Sequence, residues 1–340
     1  MKKVIQEKVM NNFFDLTQYE KEEAFRIEQI NYFKESLGED LLKVLNDPTV
    51  TEIMYNNTDT NIWIKQFKKG MYRTEIPLSV NKAKLLVEII ASYNREVINR
   101  KNPVLSATLP DGERFETIAY DSAKNKIIFS IRKRARYIIS LEEYVEQQAI
   151  TSHQKNIIEK YIKEKRNILV AGGTDSGKTT FLNACIDKLK DSNDRVALIE
   201  EIPELRCDIA NRIEMVVSYF VKMQELLKRC MRLNPNRIIV GEIREGAEAQ
   251  TLLKAWNSGH PGGLSTIHAD SCSEALHKLE LYLSEVVKGS IDYPQRRHIS
   301  SAINIIVFME EADGIRKVKE IKEVLGYDKK EETYILKDIN

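Results

Sequence analysis

One stretch constrains this chain more than any other: residues 167–183, NILVAGGTDSGKTTFLN. A short apolar run, Ile168 to Ala171, reads as a buried strand, and the residues after Thr180 suit a helix. Between them lies Gly172, Gly173, Thr174, Asp175, Ser176, Gly177, Lys178, Thr179, Thr180, which fits G-x-x-x-x-G-K-[ST] in the strand–loop–helix setting that motif requires. Glycines let backbone N–H groups converge on phosphate oxygens, and a helix N-terminus adds unpaired donors and positive potential. Lys178 has the reach for β- and γ-phosphates, and the Thr179 hydroxyl suits a Mg²⁺ ligand. Asp175 stands where such loops often carry another glycine. Asp tolerates a left-handed backbone, so its carboxylate is expected to face solvent and away from phosphate.

The remaining composition sets the frame. The 340 residues suit two domains, and 42% hydrophobic with 30% charged residues describes a globular chain with a full core. A formal net charge of +1 argues against a strongly basic nucleic-acid surface as the main device. Cys185, Cys207, Cys230 and Cys272 form no C-x-x-C pair, which disfavours a zinc knuckle or a disulfide framework and suits a reducing cytoplasm. No stretch approaches the roughly twenty apolar residues of a membrane span, so any membrane association is expected to be peripheral or through a partner.

Along the chain, residues 1–26 read as a charged extension. Residues 27–137 read as a compact α+β domain. Ile30, Phe33, Leu37, Leu41 and Leu45 recur at helical spacing, VTEIMYN and NIWIKQF alternate like strands, and NKAKLLVEIIASYN reads as a helix. PVLSATLPDGERFETIAY reads as a hairpin turning at Pro110-Asp111-Gly112, and KIIFSIRKRAR as a strand. Residues 138–152 are taken as a linker. From 153 to 340, apolar strands alternate with helices, the pattern of a mostly parallel sheet covered on both faces. The fold class is therefore α/β, a phosphate-loop domain preceded by a smaller α+β domain.

Hydrolysis at a phosphate loop needs an acid for water and a group for Mg²⁺. In RIIVGEIR, Glu242 emerges where open α/β sheets place their ligands, at the carboxyl end of a strand. In ALIEEIPEL, Glu200, Glu201 and Glu204 end another strand, and like charges this close call for a cation or an arginine between them. Thr179, Glu201 and Glu242 are the candidate metal-associated residues. GHPGGLSTIHAD supplies His268 at a strand end, placed to sense a γ-phosphate, and His260 in a turn, where it is as readily structural. Arg114, Arg132 and Arg134, with Arg95 and Arg100 nearby, offer guanidinium donors for phosphate charge, from the same or a neighbouring subunit.

GGTDSGKTT, EEIPEL, NPNRIIVGEIR and GHPGGLSTIHAD, in that order, resemble the secretion ATPases of type IV and type II secretion and pilus assembly. NREVINRKNPVLSATLPDGERFE, FSIRKRA and AWNSGHPGG look most like the TrbB-type conjugal transfer ATPases of the VirB11-like branch. The resemblance implies a RecA-like ATPase domain after an N-terminal domain, with ATP and Mg²⁺ bound between them. It also implies a cytoplasmic homo-oligomer, a hexameric ring at the inner face of the membrane that works with secretion or conjugation subunits. It gives Lys178 and Thr179 to phosphate and Mg²⁺, Glu201 to the acidic box, Glu242 to the Walker B position, His268 to the histidine box, and Arg114, Arg132 and Arg134 to nucleotide contact. The acidic box usually reads Glu-Asp, and here it is Glu200-Glu201. Alternative readings are a type II secretion or type IV pilus motor, a weakly hydrolysing nucleotide-binding scaffold, and a nucleic-acid translocase.

Overall fold

The structure is a computed structural model that describes residues 16–56, 60–66, 69–124, 126–133, 138–218, 220–287, 291–312 and 315–339. Residues 1–15 of the expected N-terminal extension lie outside that set, and from Leu16 the extension is already helix. The chain divides into two compact units, Met1–Arg136 and Tyr137–Asn340.

In the first unit, α1 (Leu16–Asn46) is broken at Gly38, whose φ of 74° and ψ of 168° are not helical. Phe33, Leu37, Leu41 and Leu45 recur every four residues, so they line one stripe and are all buried. That stripe and α2 (Val80–Tyr93) cover one face of an antiparallel sheet made of β1 (Val50–Tyr55), β2 (Asn61–Gln66), β3 (Gly70–Pro77), β4 (Val104–Thr108), β5 (Arg114–Ala119) and β6 (Ile127–Arg132). The order among the described strands is β3-β2-β1-β6-β5-β4. Tyr55, Phe115 and Phe129 form its aromatic centre, with ring centroids 5.4 and 5.5 Å apart. The expected hairpin is β4–β5, with Gly112 N–H donating to the Leu109 carbonyl across the turn. β3 had no sequence-based expectation, because its alternating Arg73 and Glu75 belong to an exposed sheet edge.

The second unit begins with α3 (Leu141–Glu146) and α4 (Ser152–Lys163). Residues 138–152, expected as a linker, are instead built into this unit. Ser140 and Glu143 form a capping box, and Leu141, Tyr144, Ala149 and Ile150 are buried in one cluster with Ile168 and Phe181. Tyr144 meets Phe181 edge-on at 5.2 Å. There follow β7 (Ile168–Gly172), α5 (Lys178–Asp187), β8 (Val196–Glu200), β9 (Arg212–Val216), α6 (Met223–Met231), β10 (Arg237–Ile243), α7 (Gly246–Trp256), β11 (Leu264–His268), α8 (Cys272–Ser284), α9 (Tyr293–Ala302), β12 (Ile305–Ala312), β13 (Ile315–Asp328) and β14 (Thr333–Asp338). The sheet order is β14-β13-β12-β7-β11-β10-β8-β9. β12 through β9 in that order run parallel, and β13 and β14 add an antiparallel edge.

Every residue of β7 is buried, and its alternation explains why. Ile168 and Val170 pack with α3, α4 and α5, whereas Leu169 and Ala171 pack with α6, α7, α8 and α9. The amino end of the sheet is pinned by polar contacts. Buried Arg237 donates to Asp194 (2.6 Å) and to the carbonyls of Gly262 and Ile162. Burial alone would raise the Asp194 pKa, but hydrogen bonds from Lys165 and Arg237 hold it below the usual range. Asn167 accepts from Gly263 N–H (2.8 Å) and donates to Ala302 O (2.7 Å). All four cysteines are free and buried. Among the described residues no helix is long and apolar enough to cross a membrane.

A Cβ at Gly263 would stand 1.9 Å from Trp256 Nε1 inside the core. The Gly263→Ala variant is expected to lose about 1–3 kcal/mol through overpacking, read as a lower urea midpoint with an unchanged slope.

Candidate functional site

The C-terminal ends of β7, β11, β10 and β8 lie side by side, because β10 and β11 fill the gap between β7 and the next strand in sequence. This is where a doubly covered sheet leaves backbone and side chains open to a ligand. β7 runs into the phosphate loop and then α5. The N-cap of α5 is Gly177 at φ 92°, a conformation that favours glycine, and no side chain caps the helix. Its first N–H groups are thus available to an anion. Asp175 is exposed with a φ of 60°, as its short side chain permits. Ser176 Oγ donates to the Gly173 carbonyl at 2.9 Å, and buried Lys178 Nζ donates to the same oxygen at 2.6 Å. The lysine is folded onto the loop it would serve. The Thr179 hydroxyl makes no hydrogen bond among the described residues.

Glu242 owes its aim to a bulge. Val240 pairs with Ser265 and Ile243 with Ile267, so three steps along β10 match two along β11. The Thr266 hydroxyl holds the displaced Gly241 carbonyl at 2.8 Å. Glu242 then faces His268, whose Nε2 stands 3.0 Å from Glu242 Oε1. That oxygen is shut from solvent and makes no well-aligned hydrogen bond. His268 itself pairs in register with Gly172, at the start of the phosphate loop.

The acids are joined by a residue that sequence reasoning quoted but did not assign. Arg244 places Nε and Nη2 on Glu242 Oε2, at 2.7 and 2.6 Å, and Nη1 on Glu201 Oε2. This is the arginine that two neighbouring carboxylates require. It was hidden because only the strand order sets β8 beside β10. Glu200, expected with Glu201 in the catalytic set, has another task. It is buried, and its Oε1 accepts from Glu204 N–H and Leu205 N–H, both at 2.7 Å, so that it orders the following turn. β8 ends at Glu200 and the chain bends at Glu201, so the two glutamates take different partners.

Asn183 on α5 is a second residue the sequence did not flag. Its amide donates to Glu204 O (3.1 Å) and accepts from Arg206 N–H (2.8 Å), tying the phosphate-loop helix to the acidic turn. His260 Nδ1 lies 2.8 Å from the Pro235 carbonyl and is structural. In the first unit, Arg114 and Arg132 are cross-strand partners on the exposed face of the sheet, next to Glu52. Arg134 lies outside the described residues.

Comparison with known proteins decides the family. The pattern of the type II/IV secretion system proteins matches residues 35–312. The chain belongs to that family. A conjugal transfer protein TrbB of Rhizobium radiobacter is 36% identical over 301 residues, which is 88% of this chain and 91% of that protein. A type IV secretion system protein VirB11 of Bartonella quintana is 32% identical over 297 residues, 74% of this chain and 83% of that protein. The Legionella pneumophila ATPase DotB shares the fold with a TM-score of 0.63 at 18% identity, over 83% of this chain and 79% of that one. The pilus retraction motor PilT with bound ADP does so with a TM-score of 0.60 at 16% identity, over 88% and 82%. Membership of this family implies nucleotide binding.

Burial and the Lys178 charge hold the His268 imidazole below its ordinary pKa, and the Glu242 carboxylate opposes them. The His268 ring is therefore neutral at pH 7. Its proton NMR titration is expected to show a midpoint below 6.5, lowered further in the Glu242→Gln variant, which removes the opposing charge, and raised in Lys178→Met.

Proposed function

We propose that this secretion-family chain hydrolyses ATP to ADP and phosphate at the 172–180 loop and acts as the motor of a conjugative type IV secretion system, powering pilus biogenesis or DNA transfer. The observation that carries the reading is Glu242 Oε1, a buried acceptor without a hydrogen bond, aimed by a bulge at His268 beside the loop. A buried carboxylate oxygen whose neighbour, His268 Nε2 at 3.0 Å, makes no well-aligned hydrogen bond to it gains from a ligand that does. An attacking water is the ligand that hydrolysis requires there.

The roles follow from placement. The uncapped N–H groups of α5 and Lys178 take the phosphates, and Lys178 exchanges the Gly173 carbonyl for a phosphate oxygen. Glu242 orients water. His268, neutral and next to Gly172, donates to the terminal phosphoryl group. Glu201 and Arg244 set the charge around Glu242. The donor set suits Mg²⁺ delivered with the nucleotide: the Thr179 hydroxyl is unspent, and Glu201 and Glu242 lie nearby. No three acidic, histidine or cysteine side chains among the described residues converge to hold a metal unaided, in keeping with an ion bound largely through substrate phosphates. When bound, Mg²⁺ would screen charge on the transferred phosphoryl group. Glu200 is left out of the catalytic set.

Family membership supports a homo-oligomeric ring, hexameric in this reading, working at the inner face of the cell membrane with other secretion subunits. The near-neutral charge weighs against a nucleic-acid translocase. One observation favours a second reading, a scaffold that binds nucleotide and turns over slowly. Arg244 occupies Glu201 and Glu242 together, and Asp175 adds negative charge at the loop.

Steady-state phosphate release separates the two. The motor reading expects Glu242→Gln to lower kcat by at least about 10²-fold with ADP affinity kept; equal, very slow rates in both proteins would favour the scaffold. Asp175→Gly is expected to tighten ATP binding in a fluorescence titration, since glycine accepts the positive φ and removes a negative charge from the loop.

A further inference from the structure

β12 is hydrogen-bonded along the whole of β7, ending at the Met309–Gly172 pair, and its hairpin with β13 continues past the loop. Arg316, the second residue of β13, is carried there. A Cβ placed on Gly177 would stand 3.1 Å from Arg316 Cδ, 3.6 Å from its Cβ and 3.8 Å from its Cγ. The arginine stem thus lies flat on the N-cap of α5. The guanidinium, the next group along, is left beside a helix terminus that has no side-chain cap. Its charge is felt within the unit at Tyr144, whose hydroxyl is pushed up by burial and pulled back by Arg316.

The guanidinium is poorly engaged. Among the described residues its partner is Glu311, with 3.7 Å between Nε and Oε2, and both side chains are more than one-third exposed. Such a surface pair contributes little and yields readily to a stronger anion. Five donors in a planar fork match phosphate oxygens better than an ammonium does. Gly177 also gains a second reason to be glycine, since any side chain there would displace the stem.

We propose that Arg316 is a nucleotide-binding residue whose guanidinium takes the phosphate chain of a bound nucleoside di- or triphosphate, opposite Lys178. This rests on the reading of the 172–180 loop as a nucleotide site. It adds a cation from the second unit itself, distinct from the arginines of the first unit.

Calorimetric titration of the full chain with ADP and with inorganic pyrophosphate tests it, using Arg316→Met and Arg316→Lys, both of which keep a stem over Gly177. Charge-assisted contacts predict about tenfold weaker binding of both ligands by the methionine variant, with most of the loss restored by lysine. The parent should lose affinity with added salt more steeply than Arg316→Met. Methionine binding within twofold of the parent, or a loss confined to ADP with pyrophosphate unaffected, overturns the proposal. Should the methionine variant not fold, Glu311→Gln decides: freeing the guanidinium tightens ADP binding if the inference holds, and unchanged or weaker binding overturns it. A parent that binds no ADP removes the nucleotide reading itself and this proposal with it, whereas a parent that binds ADP as tightly as Arg316→Met removes this proposal alone.

Discussion

The complete burial of β7 governs the second unit. Five consecutive residues with no exposed side have no tolerance for charge or for slippage, because a shift of one residue would exchange the two helical layers they pack against. With the strand fixed, the glycine loop can emerge at only one place, and its neighbours β11, β10 and β8 must deliver their last residues to the same rim. The chemistry of the loop is therefore a by-product of how firmly its strand is held.

The two rims of this sheet differ in kind. At the amino end, Arg237, Asp194 and Lys165 satisfy one another, and Arg237 and Asn167 satisfy the nearby backbone groups. Removing one partner of such a buried pair costs roughly 3–5 kcal/mol. At the carboxyl end, Lys178 is parked on a carbonyl, a glutamate oxygen has a histidine beside it but no well-aligned hydrogen bond, and one arginine serves two acids. Polar groups left with imperfect partners are where a ligand gains most by binding, so the sheet concentrates its responsiveness at one edge and its rigidity at the other.

Much of this was legible in the residues, for reasons that can be stated. β7, β8, β10, β11 and β12 are apolar runs because both their faces are covered, and the phosphate loop, Glu201, Glu242 and His268 fall at their ends. β13 was not legible: IRKVKEIKEVLGYD is dense in charge and keeps only Val318, Ile321 and Val324 well inside, so it lacks the signature of a buried strand. The roles of Glu200 and Arg244 depend on register and strand order, which periodicity does not carry. The bulge at Gly241 had a sign in the sequence, a lone glycine inside an apolar strand, but its effect on Glu242 shows only once β11 is alongside. The segment 138–152 looked like a connection because it is polar overall, although Leu141, Tyr144, Ala149 and Ile150 give it a buried side.

The Asn183 carboxamide has a mechanical meaning. One small side chain grips the turn of residues 204–206 through both its donor and its acceptor, from the second turn of the helix that begins at the glycine loop. The turn in turn hangs from Glu200. The helix that carries the glycine loop and the turn that follows Glu201 are thus coupled through one side chain, so that neither can shift far without carrying the other or breaking two hydrogen bonds.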